Sequence, residues 1–305
     1  MTQPAIAFLG TGLMGQPMAC RLLQAGFAVQ VWNRSRAKTT GCAKIGARVA
    51  ATPEAAVSVA DIVITMLSDG AAVHDVLRAA LPQIRAGALV IDMSSTRQSE
   101  ALALHAMLAA RQIEFIDAPV SGGVAGAESG SLAIMAGGSP VNFERARLLL
   151  AVLGRPTRVG PPGTGQLAKL CNQLIVGGTI NLVAEALLLA QAGGADPAAV
   201  RQALRGGFAD SKILEVHGQR MLERHFMPGG QVKTQSKDME NILDAALTAG
   251  LQLRQAELIA EIYRRLQVTD PQADHSAALL DLERHNPGFR LGSAEDVKPP
   301  STDTP

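Results

Sequence analysis

The first half of the chain alternates short aliphatic runs with segments of helical period. Ala5 to Leu9, Val29 to Trp32, Ile62 to Leu67, Leu89 to Met93 and Ile113 to Ile116 are rich in β-branched and aliphatic residues and are brief enough to be strands. The stretches between them carry apolar positions at helical spacing, and one opens at Thr52 with Pro53 at the first helical position and Glu54 after it. Strands separated in this way by helices predict an α/β fold built on a doubly wound parallel sheet covered on both faces.

The pattern changes after Gly160-Pro161-Pro162-Gly163. From there to about His285 strand signals are nearly absent, and apolar residues recur at helical spacing: Leu167, Leu170, Leu174, then Leu182, Ala186, Leu189. Gly163 to about Ala192 reads as one helix of roughly 45 Å at 1.5 Å per residue. Asp196-Pro197 starts another and Ser211 caps a third; more begin near Val232, Arg254 and His275. The expected organisation is an α/β domain over residues 1–162 and an all-helical domain over 163–291. Residues 292–305, rich in Pro, Ser, Thr and Asp with no apolar pattern, are expected to form a disordered tail.

Composition narrows the function classes. The 305 residues carry a formal net charge of +1, so the chain has no basic excess to hold nucleic acid or an anionic membrane surface. The longest apolar stretch, Leu174 to Leu189, is interrupted by Asn181 and Glu185, which argues for a buried helix rather than a membrane span. Cys20, Cys42 and Cys171 are too few and scattered for a disulfide framework or a zinc site. The first strand begins almost at once, with no basic and apolar leader before it, and a reducing cytoplasm is the expected compartment. His74, His105, His217, His225, His275 and His285 are dispersed without metal-ligand spacing, so no metal site is expected, and no G-x-S-x-G elbow supports a hydrolase.

Five segments carry candidate chemistry. Gly10-Thr11-Gly12-Leu13-Met14-Gly15 follows the first strand and opens a helix. Gly10 permits the turn, Gly12 lets backbone approach a pyrophosphate, Gly15 lets helix and strand pack, and the helix N-terminus favours anionic charge. The second strand ends in Trp32-Asn33-Arg34-Ser35-Arg36, where dinucleotide folds place the residue that meets the adenosine ribose. An acid there would repel a 2′-phosphate; Asn33 and Arg34 supply donors and positive charge instead, which favours NADP(H), with NAD(H) as second choice.

Asp117-Ala118-Pro119-Val120-Ser121-Gly122-Gly123 follows the last predicted strand. Ser121 offers a hydroxyl, and Gly122 and Gly123 are able to turn their amides toward one anion, such as a carboxylate; a plain flexible turn has the same composition. Gly163-Thr164-Gly165-Gln166-Leu167-Ala168-Lys169-Leu170-Cys171-Asn172 opens the long helix, with Lys169 and Asn172 on one face among apolar neighbours. A partly desolvated lysine works as acid and base because burial lowers its pKa from about 10.4 toward neutrality, whereas most lysines are simply solvated. Ser236-Lys237-Asp238, taken alone, reads as an exposed ion pair.

These segments, in this order from about Ala5 to His285, resemble the β-hydroxyacid dehydrogenase family, which includes 3-hydroxyisobutyrate dehydrogenases and, more distantly, 6-phosphogluconate dehydrogenase. The resemblance rests on Gly10 to Gly15 continuing into Gln16-Pro17-Met18-Ala19, on Asp117 to Gly123, on Gly165 to Asn172 and on Lys237-Asp238. It implies a Rossmann domain, a helical substrate and dimerisation domain with the active site in the cleft between them, and a homodimer or homotetramer. It further implies Lys169 as the catalytic lysine, Ser121, Gly122 and Gly123 holding the substrate carboxylate, Asn172 orienting the hydroxyl, Thr96 bordering the nicotinamide, and Lys237 closing over cofactor and substrate. The substrate implied is a small β-hydroxy acid or its semialdehyde.

Within the family the C-terminal half looks most like the branch that reduces tartronate semialdehyde. That likeness runs through Leu204-Arg205-Gly206-Gly207, Met221-Leu222-Glu223-Arg224-His225-Phe226 and Asp274-His275-Ser276-Ala277. Leu253-Arg254-Gln255-Ala256, where the family often carries proline, and the tail depart from its pattern and bear on substrate selection among tartronate semialdehyde, 3-hydroxyisobutyrate and L-threonate. A non-catalytic cofactor-binding scaffold of the same fold would have lost the lysine, and Lys169 and Ser121 are both present.

Overall fold

A computed structural model describes residues 3–300 of the chain. It divides into two compact units, Met1–Lys169 and Leu170–Pro305. The first alternates strand and helix: β1 (Ile6–Leu9), α1 (Gly15–Gln24), β2 (Val29–Trp32), α2 (Thr40–Ala43), β3 (Arg48–Val49), α3 (Pro53–Val57), β4 (Ile62–Thr65), α4 (Gly70–Ala80), β5 (Leu89–Asp92), α5 (Gln98–Ala109) and β6 (Glu114–Asp117). The order β3-β2-β1-β4-β5-β6 is parallel throughout, with Ile6 opposite both Val29 and Ile62. The doubly wound sheet read from the strand runs is therefore present.

Side-chain alternation builds two cores from one sheet. Ile6, Phe8, Ile62, Ile64, Leu89 and Ile91 point to the face covered by α1, while Ala7, Leu9, Val63 and Val90 point to the face covered by α3, α4 and α5. Each of these is at most 4 % exposed, and a fully buried Leu, Ile or Phe stabilises by roughly 1.5–3 kcal/mol. Helix starts follow local chemistry: Thr52, at the N-cap of α3, accepts from the Ala55 amide at 3.2 Å, and Asp69 at that of α4 accepts from Ala72 at 2.9 Å.

Beyond β6 come β7 (Val120–Ser121), α6 (Gly123–Ser129), β8 (Leu132–Gly137), α7 (Pro140–Leu153) and β9 (Gly154–Gly160). β8 pairs antiparallel with β6 and β7, and parallel with β9. None of these last three strands was expected. Leu132–Gly137 is built of Leu, Ala, Ile, Met and Gly, and β9 carries Pro156, which a strand at the edge of the sheet tolerates.

α8 (Thr164–Ala192) is the long helix expected from Gly163 onward, and the unit boundary falls inside it. By length and composition alone it is the one described helix able to cross a membrane, yet Ile180, Val183, Ala184, Leu187 and Leu188 belong to the helical core. The second unit adds α9 (Pro197–Leu204), α10 (Lys212–Leu222), α11 (Val232–Thr248), α12 (Arg254–Thr269) and α13 (Ala278–His285). Asp196 and Ser211 cap α9 and α10 with their side chains, as their positions foretold.

The expected disorder after Gly292 is not what the structure shows through Lys298. The Phe226 amide donates to the Val297 carbonyl at 2.7 Å, the Val297 amide to the Arg224 carbonyl at 2.9 Å, and Lys298 pairs with Asp270 at 2.9 Å. The physical reason is a buried charge: Arg224, 1 % exposed, needs acceptors, and Asp296 supplies one at 2.7 Å. The end of the expected tail, residues 301–305, lies outside the described residues.

Candidate active site

The glycine loop joins β1 to α1. Gly10 has φ +105°, and a Cβ there would lie 2.3 Å from the Met66 carbonyl oxygen; one on Gly15 would lie 1.9 Å from that of Gly10. Gly12 faces open space, and no side chain among the described residues caps α1. A cleft of about 400 Å³ opens here, lined by Gly12, Leu13, Met14, Asn33, Arg34 and Ser68 among others. Thr11 is 1 % exposed and its hydroxyl oxygen has no hydrogen-bond partner among the described residues. An uncapped helix start, a close-approach glycine and an orphaned buried hydroxyl fit a dinucleotide phosphate.

Asn33 does more than its position at the end of β2 suggested. Its Oδ1 accepts from the Thr11 amide at 3.1 Å and its Nδ2 donates to the Ser35 carbonyl at 3.0 Å, so the carboxamide ties the glycine loop to the turn after β2. Arg34 is exposed beside it. Lys38, which the sequence reading did not single out, also lines this cleft, and only its place on the turn after Arg36 could have signalled it.

A second group of residues in the same unit centres on Asp117, at the end of β6. Its carboxylate accepts from the Gly163 amide at 2.7 Å and the Gln166 amide at 2.8 Å, capping the first turn of α8. Burial, against the pull of those two amides, pushes its pKa up to about 7. Gln166 is fully buried: its Oε1 accepts from the Thr96 amide at 3.0 Å and its Nε2 donates to the Ser94 carbonyl at 2.8 Å. Asp92, raised to about 6 by burial, accepts from Thr65 at 2.7 Å and from the Ser94 amide at 3.1 Å. The loop bearing Thr96 and the helix start bearing Lys169 are thus hydrogen-bonded into one body. Lys169 sits one turn beyond Gln166 and is half-buried.

Four residues after Asp117 comes Ser121, half-buried on β7, then Gly122 with φ +139° and Gly123 with φ +62°. Both values lie in the region of positive φ that glycine adopts without strain, and Gly122 stands at the N-cap of α6 with no side-chain cap among the described residues. Among the described residues, nothing lies within 4 Å of a Cβ built on Gly123.

In the second unit, Asn172 follows Lys169 by three residues along α8 and is half-buried. Its Nδ2 donates to Gln173 Oε1 at 2.9 Å, Gln173 Nε2 donates to Asp238 Oδ2 at 2.8 Å, and Lys237 Nζ lies 3.6 Å from Asp238 Oδ1. Asn172 and Lys237, distant in sequence, are joined through Gln173 and Asp238. The expected surface pair is half right: Lys237 is 40 % exposed, but Asp238 only 6 %.

Dispersed residues also meet elsewhere. His217 and His275 approach to 2.8 Å between their Nε2 atoms, beside Asp274. Asp274 accepts from the amides of Gly229, Gly230 and Ser276 and has the Arg220 guanidinium 3.6 Å away, so its charge is already answered by donors. Cys20 and Cys42 come within 3.7 Å, and burial, with Cys20 next in weight, raises the Cys42 thiol to about 12.

This fold and this loop define a dinucleotide-binding protein. The family model for the NAD binding domain of 6-phosphogluconate dehydrogenase matches residues 5–171, and that for the NAD-binding domain of NADP-dependent 3-hydroxyisobutyrate dehydrogenase matches residues 163–282. The chain belongs to the β-hydroxyacid dehydrogenase family and is an NAD(P)-dependent oxidoreductase. It is 38 % identical to 2-hydroxy-3-oxopropionate reductase of Escherichia coli (strain K12) over 288 residues, covering 91 % of this chain and 97 % of that one. The structure of 3-hydroxyisobutyrate dehydrogenase from Mycobacterium tuberculosis with L-serine superposes with a TM-score of 0.85 at 30 % identity, over 92 % of this chain and 99 % of the other. A structure described as Psf3 in complex with NADP+ and 2-OPP gives 0.81 at 26 %, over 91 % and 99 %.

Proposed function

We propose that the protein reduces 2-hydroxy-3-oxopropionate (tartronate semialdehyde) to the corresponding hydroxy acid with NADPH, and that Lys169 is the proton donor. The observation that carries the reading is the body built around Asp117 and Gln166, in which the Thr96 loop and the first turn of α8 share hydrogen bonds. The nicotinamide, when bound, supplies the hydride. The residues to hold the dinucleotide are Gly10 to Gly15, Asn33, Arg34 and Thr96, with Lys237 closing over it. Ser121 and the amides of Gly122 and Gly123 hold the substrate carboxylate; Asn172 orients the oxygen that changes charge. Lys169 donates a hydrogen bond to that oxygen and yields its proton as negative charge grows there; in the reverse direction it takes the proton back.

The identity to 2-hydroxy-3-oxopropionate reductase supports the substrate, and the missing acid at Asn33 supports NADP(H) over NAD(H). Ile175, Leu182 and Leu189, spaced by sevens on α8 and 66–73 % exposed, support association into a homodimer or homotetramer, and the three free cysteines fit a reducing cytoplasm. The test is a panel of hydroxy acids and semialdehydes run in both directions with both cofactors. The highest kcat/KM should fall on tartronate semialdehyde with NADPH. A preference for 3-hydroxyisobutyrate or L-threonate would replace the substrate, and cofactor binding without any turnover would make the protein a scaffold.

A further inference from the structure

Asp117 lies in the segment read as a carboxylate-binding turn, yet its own carboxylate points away from that role. Both oxygens are engaged by the start of α8: Oδ1 by the Gly163 amide and Oδ2 by the Gln166 amide. The fit around it is tight. A Cβ on Gly165 would sit 2.3 Å from the Asp117 carbonyl oxygen, and one on Gly137 would sit 2.6 Å from Asp117 Oδ1. The first turn of α8 therefore lies directly on the backbone of β6, and its azimuth about the helix axis is set there. Gln166, whose amide Asp117 holds, spends its whole carboxamide on Ser94 and Thr96. Lys169 is three residues on, on the same side of the helix as Gln166.

We propose that Asp117, acting with Gln166, is the positioning residue for Lys169: it clamps the first turn of α8 to the end of β6 and so fixes where the lysine's nitrogen stands relative to the Thr96 loop. Neither residue touches a reacting atom. This rests on the reading of Lys169 as the proton donor. A helix cap that served stability alone would need no link from the capped residue to the Thr96 loop; here one helix turn carries both the cap and the link.

Two double-variant cycles with Lys169→Ala test this. Asp117→Asn leaves one acceptor and turns an N–H toward the second amide; Gln166→Met keeps the volume and the cap but cuts the link to Ser94 and Thr96. Each should lower kcat about ten-fold to a hundred-fold while KM and the NADPH dissociation constant stay within about three-fold. If both act through Lys169, then combined with Lys169→Ala they should slow the enzyme no further than Lys169→Ala alone. Effects that multiply with Lys169→Ala, or single variants with wild-type kcat, would overturn the proposal. Should Asp117→Asn fail to fold, the Gln166→Met cycle decides it. Lys169→Ala with near-normal kcat is a different outcome and removes the proton-donor reading itself.

Discussion

The side-chain oxygen of Asn33 accepts a hydrogen bond from the amide of Thr11 at 3.1 Å, so the residue expected to meet the adenosine ribose also braces the glycine loop. A carboxylate at this position would still accept from Thr11 but would lose the Nδ2 hydrogen bond to the Ser35 carbonyl, so Asn33→Asp adds the charge while giving up one contact of the turn after β2. It should move the kcat/KM ratio from NADPH toward NADH by about ten-fold to a hundred-fold, since a 2′-phosphate contact is worth roughly 1.5–3 kcal/mol. Arg34→Ala should raise KM for NADPH and leave that for NADH nearly unchanged. Steady-state kinetics with both cofactors check this; a wild-type ratio near one would contradict the reading of Asn33.

Carboxylate recognition by Ser121, Gly122 and Gly123 predicts that the neutral amide of a good substrate loses at least about ten-fold in kcat/KM, because charge-assisted hydrogen bonds contribute roughly 1.5–3 kcal/mol. Equal turnover of acid and amide would reduce Gly122 and Gly123 to a turn.

Arg224 and Glu283 form a two-pronged ion pair, at 2.5 and 2.9 Å, with the guanidinium 1 % and the carboxylate 11 % exposed. Arg224→Met should cost roughly 3–5 kcal/mol in urea unfolding, because Glu283 is left charged and buried. Asp296→Ala, whose carboxylate is 29 % exposed, should cost no more than about 1 kcal/mol. The opposite ranking would show that the C-terminal segment, not Glu283, holds Arg224.

His217 has its pKa lowered to about 4, first by burial and then by His275, with Asp274 opposing and Arg220 adding to the shift. The folded state resists a proton that the unfolded chain takes up near 6.5, so this stability is present above about pH 6.5 and lost as pH falls toward 4. By linkage the loss at pH 5 is about 2 kcal/mol. His217→Phe should flatten the slope of urea-unfolding free energy between pH 7.5 and 5; an unchanged slope would contradict it.

Much of the fold was legible because it obeys local rules. The apolar runs of β1, β4 and β5 admit little else, and Thr52, Asp196 and Ser211 announce helix starts by the hydrogen bonds that they make. β8 and β9 were not legible, since Ala, Met, Gly and Pro carry little strand preference and pairing alone makes them strands. The docked C-terminal segment was missed for a related reason: its polar composition hides that Asp296 answers a buried arginine 72 residues away. At the site, the glycine loop and Lys169 stand out as motifs, whereas Gln166 and Gln173 do not. A glutamine becomes informative only when the fold shows what it bridges, as Gln166 bridges Ser94 and Thr96.

The central claim is that Lys169 moves the proton, and single-turnover and steady-state kinetics of Lys169→Ala test it most directly. General acid catalysis of this kind is worth roughly 10² to 10⁴ in rate. The account predicts a fall in kcat of that size with NADPH affinity within a few-fold of wild type; a kcat within a few-fold of wild type would contradict it.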